Sequence, residues 1–211
     1  MARRTPGPDE RQRDPERTRQ QILDAGLAEF AAKGYAGARV GDIAERAGVN
    51  KQLISYYFGG KDGLYRAVGE LWWEYESAEL QVIDNLPEQV RQYAIAGASH
   101  GQSARLLAWE GLAYTGTDGD VDSEERDRRL RQNAELIKEA HAAGRLDSRF
   151  DPMMLMLIFL SAANAPAVYP QLVRGLTGET AESPEFIGRF ADQLGLVAEL
   201  LLSEADDTER A

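Results

Sequence analysis

Between Gly34 and the Gly59-Gly60 pair the chain has room for only two short helices, and this constrains the fold more than any other stretch. Residues Val40–Ala47 and Lys51–Phe58 read as those helices, joined through Gly48-Val49-Asn50. Asn50 is placed to cap the second, because its side-chain oxygen can accept a free N–H of the first turn. Ile43, Ala44, Ala47 and Val49 make the inward side. Helices this short are marginal alone, so they must lean on the longer helix that precedes them. The result is the outline of a helix-turn-helix unit. A solvated helical hairpin without nucleic acid has the same outline, and at this point both readings stand.

The second short helix has two unlike faces. Ile54 and Phe58 lie four apart and share the inward side, with Leu53 at the edge. Lys51, Gln52, Ser55 and Tyr56 make the other face: a cation, an amide, a hydroxyl and a phenol. That set suits a major groove, where Gln pairs bidentately with adenine and hydroxyls reach bases or phosphates. Tyr57 is expected to pack its ring and bring its hydroxyl to the surface. Lys61 opens the next helix, where its ammonium and the free N–H groups of the first turn form an anion site of phosphate size. Asp62, in that same turn, favours the helix dipole.

Helix signals dominate the rest, and the expected fold class is all-α. Residues 1–13 read as disordered, and Asp14-Pro15-Glu16 as a helix start. Ile22, Leu23, Leu27 and Phe30 recur at helical spacing until Gly34. Gly26 within that helix costs ~1 kcal/mol relative to Ala, which points to close packing. A helix from Lys61 to about residue 82 is expected, then helices over 87–99, 103–115, 123–143, 152–165 and 184–203. Gly144, Pro152, Pro166, Pro170 and Ser183-Pro184 punctuate them. The charge-dense stretch Gly119–Arg131 reads as a solvated loop and helix face.

Charge and composition narrow the function. The net charge is −11, but residues 1–70 hold 12 Lys+Arg against 10 Asp+Glu, while the remainder holds 12 against 25. A near-neutral beginning therefore precedes an acidic body, and nucleic acid stays open as a partner. There is no cysteine, which excludes disulfides and thiol catalysis and disfavours zinc. His100 and His141 lie on separate helices without a second ligand at metal spacing. Neither a GxxxxGK[ST] loop nor a helical HExxH motif occurs, so no enzyme and no cofactor are expected. No apolar run reaches the ~18 residues of a membrane span, and a signal-peptide core is lacking. The expectation is a soluble cytoplasmic protein without membrane contact.

The segment GYAGARVGDIAERAGVNKQLISYYFGGKDGLYRAV, residues 34–68, with ILDAGLAEFAAKG at 22–34, resembles the DNA-binding head of the tetracycline-repressor (TetR) family. The match covers the glycine before the turn, the DIAxxAGV helix and the YYFxxKxxLxxAV run. The resemblance implies a three-helix head with its third helix in the major groove. Lys51, Gln52, Ser55, Tyr56 and Tyr57 would then face DNA, with Lys61 on a phosphate and Arg39 able to reach another. Arg39 stands where members commonly have Thr or Ser, and supplies no oxygen to cap its helix. Ser55 stands where many members have Tyr, so the base preferences of relatives do not transfer. The domains expected are a flexible basic arm (1–14), a helix-turn-helix domain (15–60) and a ligand-binding and dimerisation domain (61–211). The function implied is a homodimeric repressor released from a palindromic operator by a small-molecule effector; the alternative is a helix-turn-helix module that binds protein.

In the acidic body MMLMLIFL, residues 153–160, is apolar on every side and should be buried on more than one. Phe186, Phe190, Leu194, Val197 and Leu201 stripe the last helix. Helices 152–165 and 184–203 are expected to meet a twofold-related copy as a four-helix interface, with Leu155 and Phe159 joining that stripe. Trp72, Tyr75, Tyr93, Trp109, Tyr114, Met153 and Phe159 are the candidates for lining an effector cavity. Glu110 beside Trp109 would favour a cationic effector.

Overall fold

Apolar residues of the first helix close into one side: Ile22, Leu23, Ala25 and Phe30 are buried along α1 (Pro8–Gly37). Against them pack α2 (Val40–Ala47), α3 (Lys51–Phe58) and the start of α4 (Lys61–Glu79), through Ile43, Ala44, Ile54, Leu64 and Val68. Each large aliphatic side chain withdrawn from water here contributes about 1.5–3 kcal/mol. Gly26 packs as expected: a methyl group placed there would sit 3.2 Å from a Leu64 methyl. The computed structural model describes residues 8–79, 85–116 and 123–202. Among them there is no strand, only an isolated bridge between Leu146 and Leu202, and the fold is all-α.

The chain divides into two packed units. The first takes in the chain through Glu76 together with Arg105–Leu112, which belong to α6 (Gly101–Ala113). Leu106 is buried in the same core as Ile22 and Phe30.

The second unit holds α5 (Leu86–Ser99), α7 (Ser123–Ala142), α8 (Pro152–Val168), α9 (Pro170–Thr177) and α10 (Pro184–Glu199). Val90, Ile137, Leu146, Leu155, Phe159 and Ala198 form its larger core, and Ala94, Ala163 and Ala191 a second one. The small residues mark where backbones run close. A Cβ on Gly97 would lie 2.7 Å from the Ala163 carbonyl oxygen, so α5 approaches α8 only because glycine stands there. The connection after α7 is tied to the end of α10, with the Asp147 N–H donating to the Leu201 carbonyl at 3.1 Å.

The helix expected over 103–115 lies at Gly101–Ala113 and the last one ends at Glu199; three further differences from expectation involve proline. Residues 8–13, expected to be disordered, are helical, and α1 passes through Pro15. The packed stretch from Ile22 supplies the nucleus, and extension toward the N-terminus then adds about one bond per residue at the loss of Pro15's single donor. Residues 1–7 lie outside the described residues, as do 80–84, where the expected end of α4 falls, and 117–122 of the charge-dense stretch. Helix α8 runs through Pro166 to Val168, because buried Pro166 removes only one intrahelical bond. Pro170, read as punctuation, instead starts α9, whose first turn needs no proline N–H. Among the described residues no single helix is long and apolar enough to cross a membrane.

Candidate nucleic-acid interface

The turn between α2 and α3 is closed at Gly48, whose left-handed backbone (φ 68°) lets its N–H reach the Ala44 and Glu45 carbonyls. Asn50 then caps α3: its Oδ1 accepts the Gln52 N–H at 3.0 Å. With α3 fixed at that end and Ile54 buried, Lys51, Gln52, Ser55 and Tyr56 are exposed together. Tyr56 is 78% exposed, a large apolar ring held in water by no packing requirement of the unit. Its ring meets Tyr57 edge-on at 5.0 Å, while Tyr57 is half-buried beside Phe58 against the core. Arg39 is exposed at the N-cap of α2 and makes no side-chain cap.

A buried acid that the sequence reading passed over sets α2 against α1. Glu29 is 1% exposed, with its carboxylate 2.5 Å from Lys33 and 3.8 Å from Arg46 of α2. Lys33 also pairs with Asp42 of α2 at 3.0 Å. Glu29, then Asp42, raise the Lys33 ammonium above its ordinary value, and Lys33 in turn lowers the Asp42 carboxyl. The signal was the helical wheel, on which Glu29 falls among Ile22, Ala25 and Phe30.

The start of α4 carries a second polar cluster. The Lys61 ammonium sits over the Tyr35 ring, 4.4 Å from its centroid. The Tyr35 hydroxyl donates to the Asp62 carboxylate. That bond, followed by partial burial, raises the phenol above its usual value. Tyr35 also meets Tyr65 edge-on at 5.0 Å, and the Tyr65 hydroxyl donates to Glu110 at 3.0 Å. The Arg19 guanidinium lies 5.3 Å from the Phe58 ring centroid.

The effector candidates fall in both units. Trp109 lies in the first unit, where its indole N–H donates to the Ala31 carbonyl at 3.2 Å and its ring covers Gly34. Glu110, accepting from Tyr65, is likewise engaged there. The side chains of Trp72 and Tyr75 lie outside the described residues. In the second unit Phe159 is buried, Tyr93 and Met153 are half-buried, and Tyr114 is 57% exposed. Two polar atoms there, Gln92 Oε1 and His141 Nε2, are buried without a hydrogen-bond partner among the described residues, and no periodicity marks them.

The interface candidates also separate. Leu155, Phe159 and Phe186 are buried in their own unit, and Phe190, Leu194 and Leu201 are half-buried in it. Val197 is exposed, together with Met154, Leu157 and Ile158 of α8 and Leu196 and Leu200 beside the end of α10. No group of metal-binding side chains occurs among the described residues.

Comparison with known proteins agrees with this geometry. Residues 22–68 match the family of bacterial regulatory proteins, tetR family. Residues 85–189 match a tetracyclin repressor-like C-terminal domain. The HTH-type transcriptional repressor SCO4008 of Streptomyces coelicolor is 33% identical over 167 residues, covering 79% of this chain and 86% of that protein. The HTH-type transcriptional regulator RutR of Escherichia coli K12 is 26% identical over 180 residues, covering 82% of this chain and 84% of its own. Among solved structures, Streptomyces coelicolor SCO4942 superposes with a TM-score of 0.71 at 24% identity, covering 89% of this chain and 99% of that one. The ketosteroid transcriptional regulator KstR2 of Mycobacterium tuberculosis gives 0.67 at 14% identity, covering 89% and 95%; both show the shared fold.

Proposed function

Because the chain belongs to the TetR family of DNA-binding transcriptional regulators, we propose that it is a homodimeric repressor that binds a palindromic operator and leaves it when a small-molecule effector binds. The observation that carries the DNA part is the exposed face of α3, where Lys51, Gln52, Ser55 and Tyr56 stand clear while Ile54 is sealed in the core. Lys51 and Lys61 take phosphates. Gln52, Ser55 and Tyr56 read base edges, and Arg39 and Tyr57 flank them. The repressor SCO4008 supports the sign of regulation.

Two copies join through the exposed apolar side chains of α8 and α10, namely Met154, Leu157, Ile158, Leu196 and Val197, together with Leu200. Large apolar side chains left in water along two helices support an interface there. The twofold pair presents two α3 helices to successive major-groove turns, roughly 34–36 Å apart. The effector binds in the second unit. An unpaired buried polar atom costs about 1–3 kcal/mol, so a polar ligand group that reaches Gln92 Oε1 or His141 Nε2 gains by pairing with it. The acidic body is repelled by DNA and leaves the first unit as the docking surface.

The test is selection of bound duplexes from a random pool at near-physiological salt. Enrichment of an inverted repeat supports the reading. A pool that stays random, bound to folded protein stripped of small molecules, refutes operator recognition.

A further inference from the structure

Tyr35 is 40% exposed, yet it is held from several sides: edge-on to Tyr65, stacked with Phe30 at 6.3 Å, and bonded through its hydroxyl to Asp62. Above its ring is the Lys61 ammonium. An ammonium resting on a π face keeps the N–H donors of its outward side, and its charge is attracted by the ring without being neutralised. The alternative partner for Lys61 is its neighbour Asp62, whose carboxylate would offset the lysine's charge and repel a phosphate. The Tyr35 hydroxyl engages that carboxylate instead. The raised phenol stays protonated, and so remains a donor, throughout the physiological range.

We infer that Tyr35 is a positioning residue for the DNA-phosphate contact of Lys61: its ring carries the ammonium, and its hydroxyl draws the Asp62 carboxylate away. This rests on the reading of Lys61 as a phosphate ligand. The role assigned to Tyr35 needs no DNA contact of its own. Its contribution passes entirely through Lys61, which distinguishes it from a residue that merely stabilises the unit.

The test is a double-mutant cycle on the full chain, with affinity for a labelled mixed-sequence duplex read by fluorescence anisotropy over a range of salt. A phosphate contact is independent of sequence, so no operator is required. Lys61→Ala is expected to lower affinity and to reduce the salt slope by about one per bound unit. Tyr35→Leu should weaken binding about 2- to 5-fold per bound unit, the strength of an exposed cation–π contact. Tyr35→Phe, which keeps the ring and loses the Asp62 bond, should weaken it less. In the Lys61→Ala background both Tyr35 substitutions should cost much less, leaving only the weak repulsion of phosphate by the released Asp62 carboxylate. Equal losses with and without Lys61 overturn the inference. If circular dichroism shows Tyr35→Leu unfolded, the Tyr35→Phe pair decides alone. Wild-type binding without salt dependence would overturn the phosphate reading itself, and the inference with it.

Discussion

Gly34 is the position where a single methyl group should reveal how the first unit is held. Its backbone (φ 67°, ψ 172°) breaks the helical course of α1, and this region is essentially reserved for glycine, costing other residues about 1–3 kcal/mol. A Cβ there would also stand 3.0 Å from Trp109 Cδ2 and Cε3, so the indole must shift. Shifting it endangers the bond from its N–H to the Ala31 carbonyl, worth about 1 kcal/mol. Gly34→Ala should therefore destabilise by roughly 2–4 kcal/mol, combining backbone strain with the disturbed indole. Urea unfolding followed by far-UV circular dichroism measures it. In a Trp109→Ala background the steric part vanishes, and the same change should cost only the backbone strain. A loss below about 0.5 kcal/mol in the wild-type background, well under the strain of a glycine-only conformation, would refute the reasoning. So would equal losses in the two backgrounds.

Tyr56→Ala should weaken operator binding about tenfold or more, the scale of one lost base contact, while leaving urea unfolding unchanged; gel-shift titration beside the melt checks both. Ile158→Glu combined with Val197→Glu should convert the protein to monomers at micromolar concentration in sedimentation velocity without loss of helical circular dichroism. Asp147 is lowered to about 2, chiefly by side-chain hydrogen bonds from Arg149. Its folded value lies below its unfolded one, so its stabilisation is present above the ordinary 3.8 and lost as pH falls through about 2. The stability difference between wild type and Asp147→Asn should accordingly shrink across that window.

Local chemistry made the α3 region legible. A capping Asn50, a glycine turn and a buried Ile54 opposite exposed Tyr56 are all decided within a few residues, and the structure has each of them. The body offered no such local decision. Helix α8 is apolar all round, so its pattern cannot say which side meets its own chain; Leu155 and Phe159 turned inward, and Leu157 and Ile158 outward. Prolines were misread for the related reason that one residue both ends and begins helices. The aromatic character of Trp109 was visible. Its partner, the Ala31 carbonyl 78 positions earlier, was not.

That pairing bears on how the protein can be taken apart. A hybrid regulator built by joining the first 76 residues to another body would omit Arg105–Leu112, leaving the socket of Leu106 empty and the Ala31 carbonyl without its indole donor. The portable module is discontinuous: transplanting the DNA specificity of this chain means grafting the last turns of α6 as well, or choosing a recipient whose own sixth helix already fills the place of Leu106 and Trp109.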